Sequence, residues 1–92
     1  MKTAERLFRA LERGNLPVIE EVLNTGYRID TVHDGRTALM VAALYGQCDA
    51  IELLIEKGAE VGKIDNDGKT ALSHAEEEGE SDAVNLLRNC DS

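Results

Sequence analysis

The chain has 92 residues and only 3% aromatic side chains, which limits it to one small domain with an aliphatic core. Its formal net charge is −8, and the excess is uneven: residues 1–33 carry five basic and five acidic side chains, whereas residues 34–92 carry five and thirteen. This charge disfavours nucleic acid and anionic membranes as partners. It permits a protein with a basic surface, beside the simpler interpretation that it keeps a small protein soluble.

The first part of the chain predicts two helices. Residues 4–13 form a helical pattern that ends at Gly14, where glycine permits a left-handed turn. A second helix follows, with Pro17 in its first turn, where the missing N–H is tolerated. Its apolar residues Ile19, Val22 and Leu23 are spaced to lie on one face.

The middle part predicts a turn and two more helices. Asp34-Gly35 is a turn signal, and Thr37 is placed to cap a helix over about 38–45. Gly46 ends that helix. The pattern of Ile51, Leu54 and Ile55 then predicts a second helix, which Gly58 closes.

The last part repeats the middle one. Residues 67–75 match residues 34–42 after 33 positions, and a weaker copy starts 32 positions upstream of Leu39, at Leu7. The repeat predicts a helix over about 71–78 that ends at Gly79, followed by a final helix. A period of this length is typical of stacked helical units that share one core.

These residues resemble the ankyrin repeat. The segments that show the resemblance are Asp34-Gly35-Arg36-Thr37-Ala38-Leu39-Met40-Val41-Ala42-Ala43-Leu44-Tyr45-Gly46, Leu53-Leu54 and Gly58-Ala59-Glu60-Val61. The resemblance implies an all-α solenoid of three helix-turn-helix repeats with short turn or hairpin connectors. It implies one domain over 1–92, with repeat 1 at about 1–33, repeat 2 at about 34–66 and repeat 3 at about 67–92.

The two outer repeats are expected to act as caps, because charged residues stand where the middle repeat is apolar. Glu21 replaces Leu53, and Arg88 replaces Ile55. Polar outer faces keep a short solenoid soluble, so we expect a complete three-repeat protein and a monomer.

Three departures from the family pattern are visible. Alanine stands at both proline positions, and the family's histidine is replaced by Met40 and Ser73, so its hydrogen bond to the threonine hydroxyl is expected to be missing. The connector before Asp34 is one residue short, which predicts a different turn there.

By the same resemblance, the turn tips and the first helices form a concave face that binds another protein. The side chains expected to contact that partner vary freely in the family and stand in one row. They are Glu12, Arg13, His33, Asp34, Arg36, Leu44, Tyr45, Ile64, Asn66, Asp67, Lys69, Glu77 and Glu78.

Among these residues, Leu44 and Tyr45 are the strongest candidates for contact with the partner. The equivalent pairs in the other copies are charged, so an apolar pair between them resembles an interface hot spot with a polar rim. The partner would offer an apolar pocket or an apolar knob. The alternative is that Tyr45 packs locally against a connector.

The run Glu76-Glu77-Glu78-Gly79-Glu80 with Asp82 forms an acidic patch. It is interpreted as a docking surface for basic groups or, more simply, as the solvated face of a cap. A different class of function also stays open, a structural role in which repeat ends stack and the chain self-associates.

No catalytic, metal or cofactor site is expected. His33 and His74 are the only histidines, and they are assigned to a turn and to a helix surface. The segment from Lys63 imitates a calcium loop, but it lacks the acidic residues at the first and twelfth positions that an EF-hand requires. We therefore expect a protein that is not an enzyme.

The two cysteines do not form a disulfide framework. Cys48 is expected to be a small, buried or half-buried thiol, and Cys90 lies close to the end of the sequence. This usage fits a reducing compartment, so a cytoplasmic location is expected, with the nucleus also permitted.

Overall fold

The computed structural model describes residues 3–90, which form six helices in three helix-turn-helix pairs. The helices are α1 (Thr3–Arg13), α2 (Leu16–Asn24), α3 (Ala38–Leu44), α4 (Cys48–Glu56), α5 (Ala71–Glu77) and α6 (Ser81–Cys90). Within this range there is no strand, only one isolated antiparallel bridge between His33 and Arg36. The predicted all-α solenoid is confirmed.

The helix boundaries follow from the capping residues. The Thr37 hydroxyl accepts a hydrogen bond from the N–H of Met40 at the start of α3, and the Thr70 hydroxyl caps α5 in the same way. At the end of α3 the chain turns through Gly46, whose φ of 67° is left-handed and favours glycine. The predicted caps and stops are therefore confirmed.

One expectation about the caps is wrong in part. The Ser73 hydroxyl lies 3.2 Å from the Thr70 hydroxyl, so a polar contact from this position is retained without the family's histidine. In α3 the corresponding contact goes to the backbone instead of the hydroxyl. The Met40 sulfur accepts a hydrogen bond from the N–H of Thr37 at 3.5 Å. Both side chains reach back to the N-cap residue, but only Met40 accepts from its backbone N–H and so completes a capping box.

The helices form two layers. Helices α1, α3 and α5 contact one another in sequence order and form the first-helix layer, and α2, α4 and α6 form the second-helix layer. Aliphatic side chains fill the space between the layers, and Leu7, Ile19, Ile51 and Leu87 are fully buried. Burying one such side chain contributes about 1.5–3 kcal/mol, so the packed repeats hold the first-helix layer in place.

The two turns that precede α3 and α5 differ, as the shorter connector predicts. In the turn 33–36, His33 and Arg36 exchange both backbone hydrogen bonds around Asp34 and Gly35, which have φ of 54° and 84°. The turn 65–69 has one more residue, and its base is the bond from the N–H of Asp65 to the carbonyl of Lys69. The shorter turn forces a non-glycine residue, Asp34, into the left-handed region, which aspartate tolerates.

The surface assignment of His74 is wrong. This side chain is 5% exposed, and its Nε2 lies 2.8 Å from Oδ2 of Asp65, which is 6% exposed. The residue at the same repeat position is Val41, which is also buried. Repeat 3 therefore places a hydrogen-bonded histidine–aspartate pair where repeat 2 has an apolar side chain.

Charged pairs lie at the two outer repeats. Arg6 on α1 contacts Glu21 on α2 at 2.8 Å, and Glu76 on α5 contacts Arg88 on α6 at 2.9 Å. Each pair joins the two helices of its own repeat, at positions where the middle repeat has apolar residues. The ion pairs thus give polar surfaces to both outer repeats.

Candidate functional site

A cleft of about 240 Å³ opens between α1, α3 and the turn 33–36. We call this region the first junction. Its apolar lining comes from Phe8 on α1, from Val41 and Leu44 on α3, and from Tyr45, which follows the last residue of α3. Phe8 and Val41 are almost fully buried, whereas the Tyr45 side chain is 47% exposed. The cleft therefore has a hydrophobic floor and an aromatic residue at its edge.

His33 connects the turn to the floor of the cleft. Its ring meets that of Phe8 edge to face, with centroids 4.9 Å apart and an interplanar angle of 67°. Such edge-to-face pairs favour one relative orientation of the two rings. Nε2 of His33 also lies 3.5 Å from Oδ2 of the exposed Asp34, so the ring is between the floor and the rim of the cleft.

The rim of the cleft carries both signs of charge. It is lined by Glu5, Arg9, Glu12, Asp34 and Arg36. Within residues 3–90, neither arginine has a carboxylate within the 4 Å of an ion pair. Two guanidinium groups are therefore available to an outside partner.

The second junction lies between α3, α5 and the turn 65–69, and it is bridged by polar contacts. Asp65 accepts hydrogen bonds from the N–H groups of Asp67 and Lys69, and its other oxygen contacts His74. Above this pair, the Lys69 ammonium contacts the Glu77 carboxylate at 2.8 Å. The charges of Asp65, Lys69 and Glu77 are thus compensated within this junction.

The pKa values reflect these contacts. The N–H of Lys69, together with the imidazole of His74, holds the pKa of Asp65 below its ordinary value of 3.8, against the opposing effect of burial. The hydrogen bond to Glu77 raises the pKa of Lys69. Asp65 therefore keeps its negative charge at neutral pH.

The structure brings together many of the side chains predicted to bind a partner. Six of them line the cleft of the first junction: Glu12, His33, Asp34, Arg36, Leu44 and Tyr45. Asn66 and Asp67 lie beside Asp34 and Arg36 in a shallow depression between the two turns. Lys69 and Glu77 pair with each other, while Arg13, Ile64 and Glu78 are exposed.

Sequence reasoning missed Glu5, Phe8, Arg9 and Val41 in the cleft. Helical periodicity contained the signal for two of them, because Glu5 and Arg9 stand seven and three residues before Glu12 and so share its face of α1. The repeat register also contained a signal for the burial of His74, which stands at the position of the apolar Val41.

The surroundings of the two cysteines decide the state of their thiols. Both cysteines are free, and burial together with the nearby Asp82, Asp49, Glu52 and Glu80 raises the pKa of the Cys48 thiol. A raised pKa lowers the fraction of thiolate, which is the nucleophilic form. Between residues 3 and 90 no group of three or more His, Cys, Asp or Glu side chains is arranged to hold a metal ion.

A helix must be both long and apolar to cross a lipid bilayer. None of the helices described over residues 3–90 is both long and apolar enough to cross a bilayer.

Comparisons with known proteins identify a family for most of the chain and relatives for part of it. A family model for ankyrin repeats in three copies matches residues 7–92. The chain is 40% identical over 55 residues to an ankyrin repeat and KH domain-containing protein of Caenorhabditis briggsae. It is 37% identical over 62 residues to ankyrin repeat and SAM domain-containing protein 6 of Rattus norvegicus.

These matches cover 60% and 65% of this chain but only 2% and 7% of the two relatives. An Arf-GAP with ANK repeat and PH domain-containing protein of Caenorhabditis elegans is 34% identical over 56 residues, which are 61% of this chain and 7% of that protein. The chain thus spans less than a tenth of each of these three relatives.

Proposed function

The chain belongs to the ankyrin-repeat family, and on that premise we propose that it binds a partner protein through the turn tips and the first helices. Ankyrin repeats are generally protein-interaction modules and typically not enzymes. The observation that carries the proposal is the cleft of the first junction, where buried Phe8 lies among six of the predicted contact residues, half-exposed Tyr45 included.

Rigid display is the proposed mechanism. The face is built on helices whose opposite sides are buried, and the turn 33–36 is closed by two backbone hydrogen bonds. Side chains on such a support lose little conformational freedom on binding, which favours affinity. Apolar residues at the centre and charged residues around them match the usual arrangement of an interface hot spot.

Charge suggests how a partner would lie on this face. Arg9, Arg13 and Arg36 are exposed at the repeat 1 end, whereas Glu78 is exposed at the repeat 3 end. Glu77 is neutralised by Lys69, and Glu76 by Arg88, so basic groups of the partner are proposed to face Glu78. Complementary charges of this kind fix orientation and speed up encounter.

A photocrosslinking pair tests the proposal. The amino acid p-benzoylphenylalanine replaces Tyr45 in one variant and the exposed Glu52 of α4, in the second-helix layer, in the other. In cells that express the protein, we expect one defined crosslinked product from position 45 and none from position 52. Equal labelling at both positions would contradict binding through the first-helix layer.

Self-association is the second candidate function. It is favoured by Leu72 and Val84, which are only partly buried although Leu39 and Ile51, at the same repeat positions, are 0–2% exposed. The ion pair between Glu76 and Arg88 opposes it, because stacking another copy there would desolvate both charges. Light scattering over a range of concentrations tests this candidate, and a mass that stays at one chain would exclude it.

A further inference from the structure

From the first junction we infer that the partner inserts one large apolar side chain into the cleft and places a neighbouring carboxylate against Arg36. The inference rests on the proposed function and specifies the chemistry of the partner. It follows from comparing the two junctions. At the second junction an ion pair within the protein occupies the place where the first junction is proposed to receive the partner.

The two junctions are related by the repeat of 33 residues. Arg36 corresponds to Lys69, and Leu44 corresponds to Glu77. In the second junction, Lys69 and Glu77 form an ion pair at 2.8 Å. In the first junction the acidic member is replaced by Leu44, so Arg36 loses the intramolecular partner that its counterpart has.

Other carboxylates of the first junction do not replace the missing one. Glu5, Glu12 and Asp34 line the same cleft, yet within residues 3–90 none lies within 4 Å of Arg36 or Arg9. The Asp34 carboxylate is directed to His33 at 3.5 Å. A carboxylate on the partner, beside Leu44, would therefore complete the junction as Glu77 completes the other.

The size and lining of the cleft indicate its occupant. About 240 Å³ is less than the roughly 300–1,000 Å³ of typical small-molecule sites, so a cofactor or drug-sized ligand is disfavoured. Half-buried Leu44 and exposed Tyr45 line this cleft together with the buried Phe8 and Val41, so the face offers an apolar concavity. The concavity favours a partner that inserts an apolar side chain, which we call the knob, over a partner that offers a pocket.

Capped dipeptides serve as probes, with binding followed by the backbone amide signals of the isotopically labelled protein in NMR titrations. N-acetyl-Trp-Glu-amide carries both proposed groups, N-acetyl-Trp-Lys-amide reverses the charge, and N-acetyl-Ala-Glu-amide lacks the knob. We expect the first probe to shift the signals of Phe8, His33, Leu44 and Tyr45, and each of the others to bind at least threefold more weakly.

Two variants provide the matched test. Leu44→Glu gives Arg36 the partner that Lys69 has and is tolerated by the fold, since Glu12 and Glu77 occupy the same repeat position. We expect it to weaken binding of N-acetyl-Trp-Glu-amide at least tenfold. Glu52→Leu makes the opposite exchange at an exposed position of the second-helix layer and should leave the response at the first junction unchanged. Well-dispersed spectra confirm folding of both variants.

Equal binding of the alanine and tryptophan probes, or unchanged binding to Leu44→Glu, would overturn the inference. If position 45 crosslinks a partner but no dipeptide shifts the cleft signals, the inference fails and the proposed function stands. If the cleft responds as expected but crosslinking is equal at positions 45 and 52, the inferred cleft chemistry stands and the proposed function fails.

Discussion

The two junctions of the first-helix layer share one backbone plan and differ in how their side chains are satisfied. At the second junction, Asp65 and His74 form a buried pair, and Lys69 and Glu77 close the surface above it. At the first junction, apolar Val41 and Leu44 stand at the positions of His74 and Glu77. The same repeat plan, with turns that differ by one residue, thus gives one junction in which two pairs of side chains contact each other and one that leaves apolar surface and a guanidinium group without an ion pair.

This difference teaches that position in the repeat does not by itself identify a binding residue. Lys69 and Glu77 occupy positions that bind partners by resemblance to the family, but here they contact each other. Arg36 and Leu44 occupy the same positions one repeat earlier and have no such mutual contact. The side chain at the paired position decides whether a residue is available.

Removing core volume from α3 would weaken both junctions at once, because α3 contacts α1 and α5. Leu39 is 2% exposed, so Leu39→Ala should lower the free energy of unfolding by about 2–5 kcal/mol. Leu72→Ala is the matched control, since Leu72 occupies the same position in α5 but is only partly buried. Urea denaturation followed by circular dichroism measures both, and equal losses would contradict the special burial of α3.

Acid should weaken the second junction selectively. Because the pKa of Asp65 is lower in the folded protein, its stabilising contribution is present above the ordinary value of 3.8 and is lost as the pH falls through the lowered value. The stability difference between wild type and Asp65→Asn should therefore be large at about pH 7 and shrink towards about pH 3. Denaturation midpoints across this range measure the difference, and a constant difference would show that the carboxylate charge is unimportant.

The smallest effect on stability is expected at the edge of the first junction. Tyr45 is 47% exposed, so Tyr45→Ala should change the free energy of unfolding by no more than about 0.5 kcal/mol while weakening capture of the crosslinked partner. Thermal denaturation and a binding assay with that partner measure the two effects. A large loss of stability would instead support the alternative that Tyr45 packs against the turn.

The candidate site was predictable in part from the sequence, for reasons that particular residues make clear. Leu44 and Tyr45 stand out because their counterparts in the other repeats are charged, and the repeat register places them on the first-helix layer. Phe8 was missed because an aromatic residue in a helical pattern gives no sign that it forms the floor of a cleft. Arg9 was missed although its spacing from Glu12 places it on the same face of α1.

Local sequence patterns predict the repeat, the six helices and their capping residues, because turn residues, caps and hydrophobic spacing act over a few neighbouring positions. They also predict that the two turns differ, since one connector is shorter. The folded structure was needed to find that His74 is buried against Asp65, that Lys69 pairs with Glu77 and that Arg36 has no ion pair within residues 3–90. Those outcomes depend on distances between side chains of different elements, and such distances are set by packing of the layers rather than by local pattern.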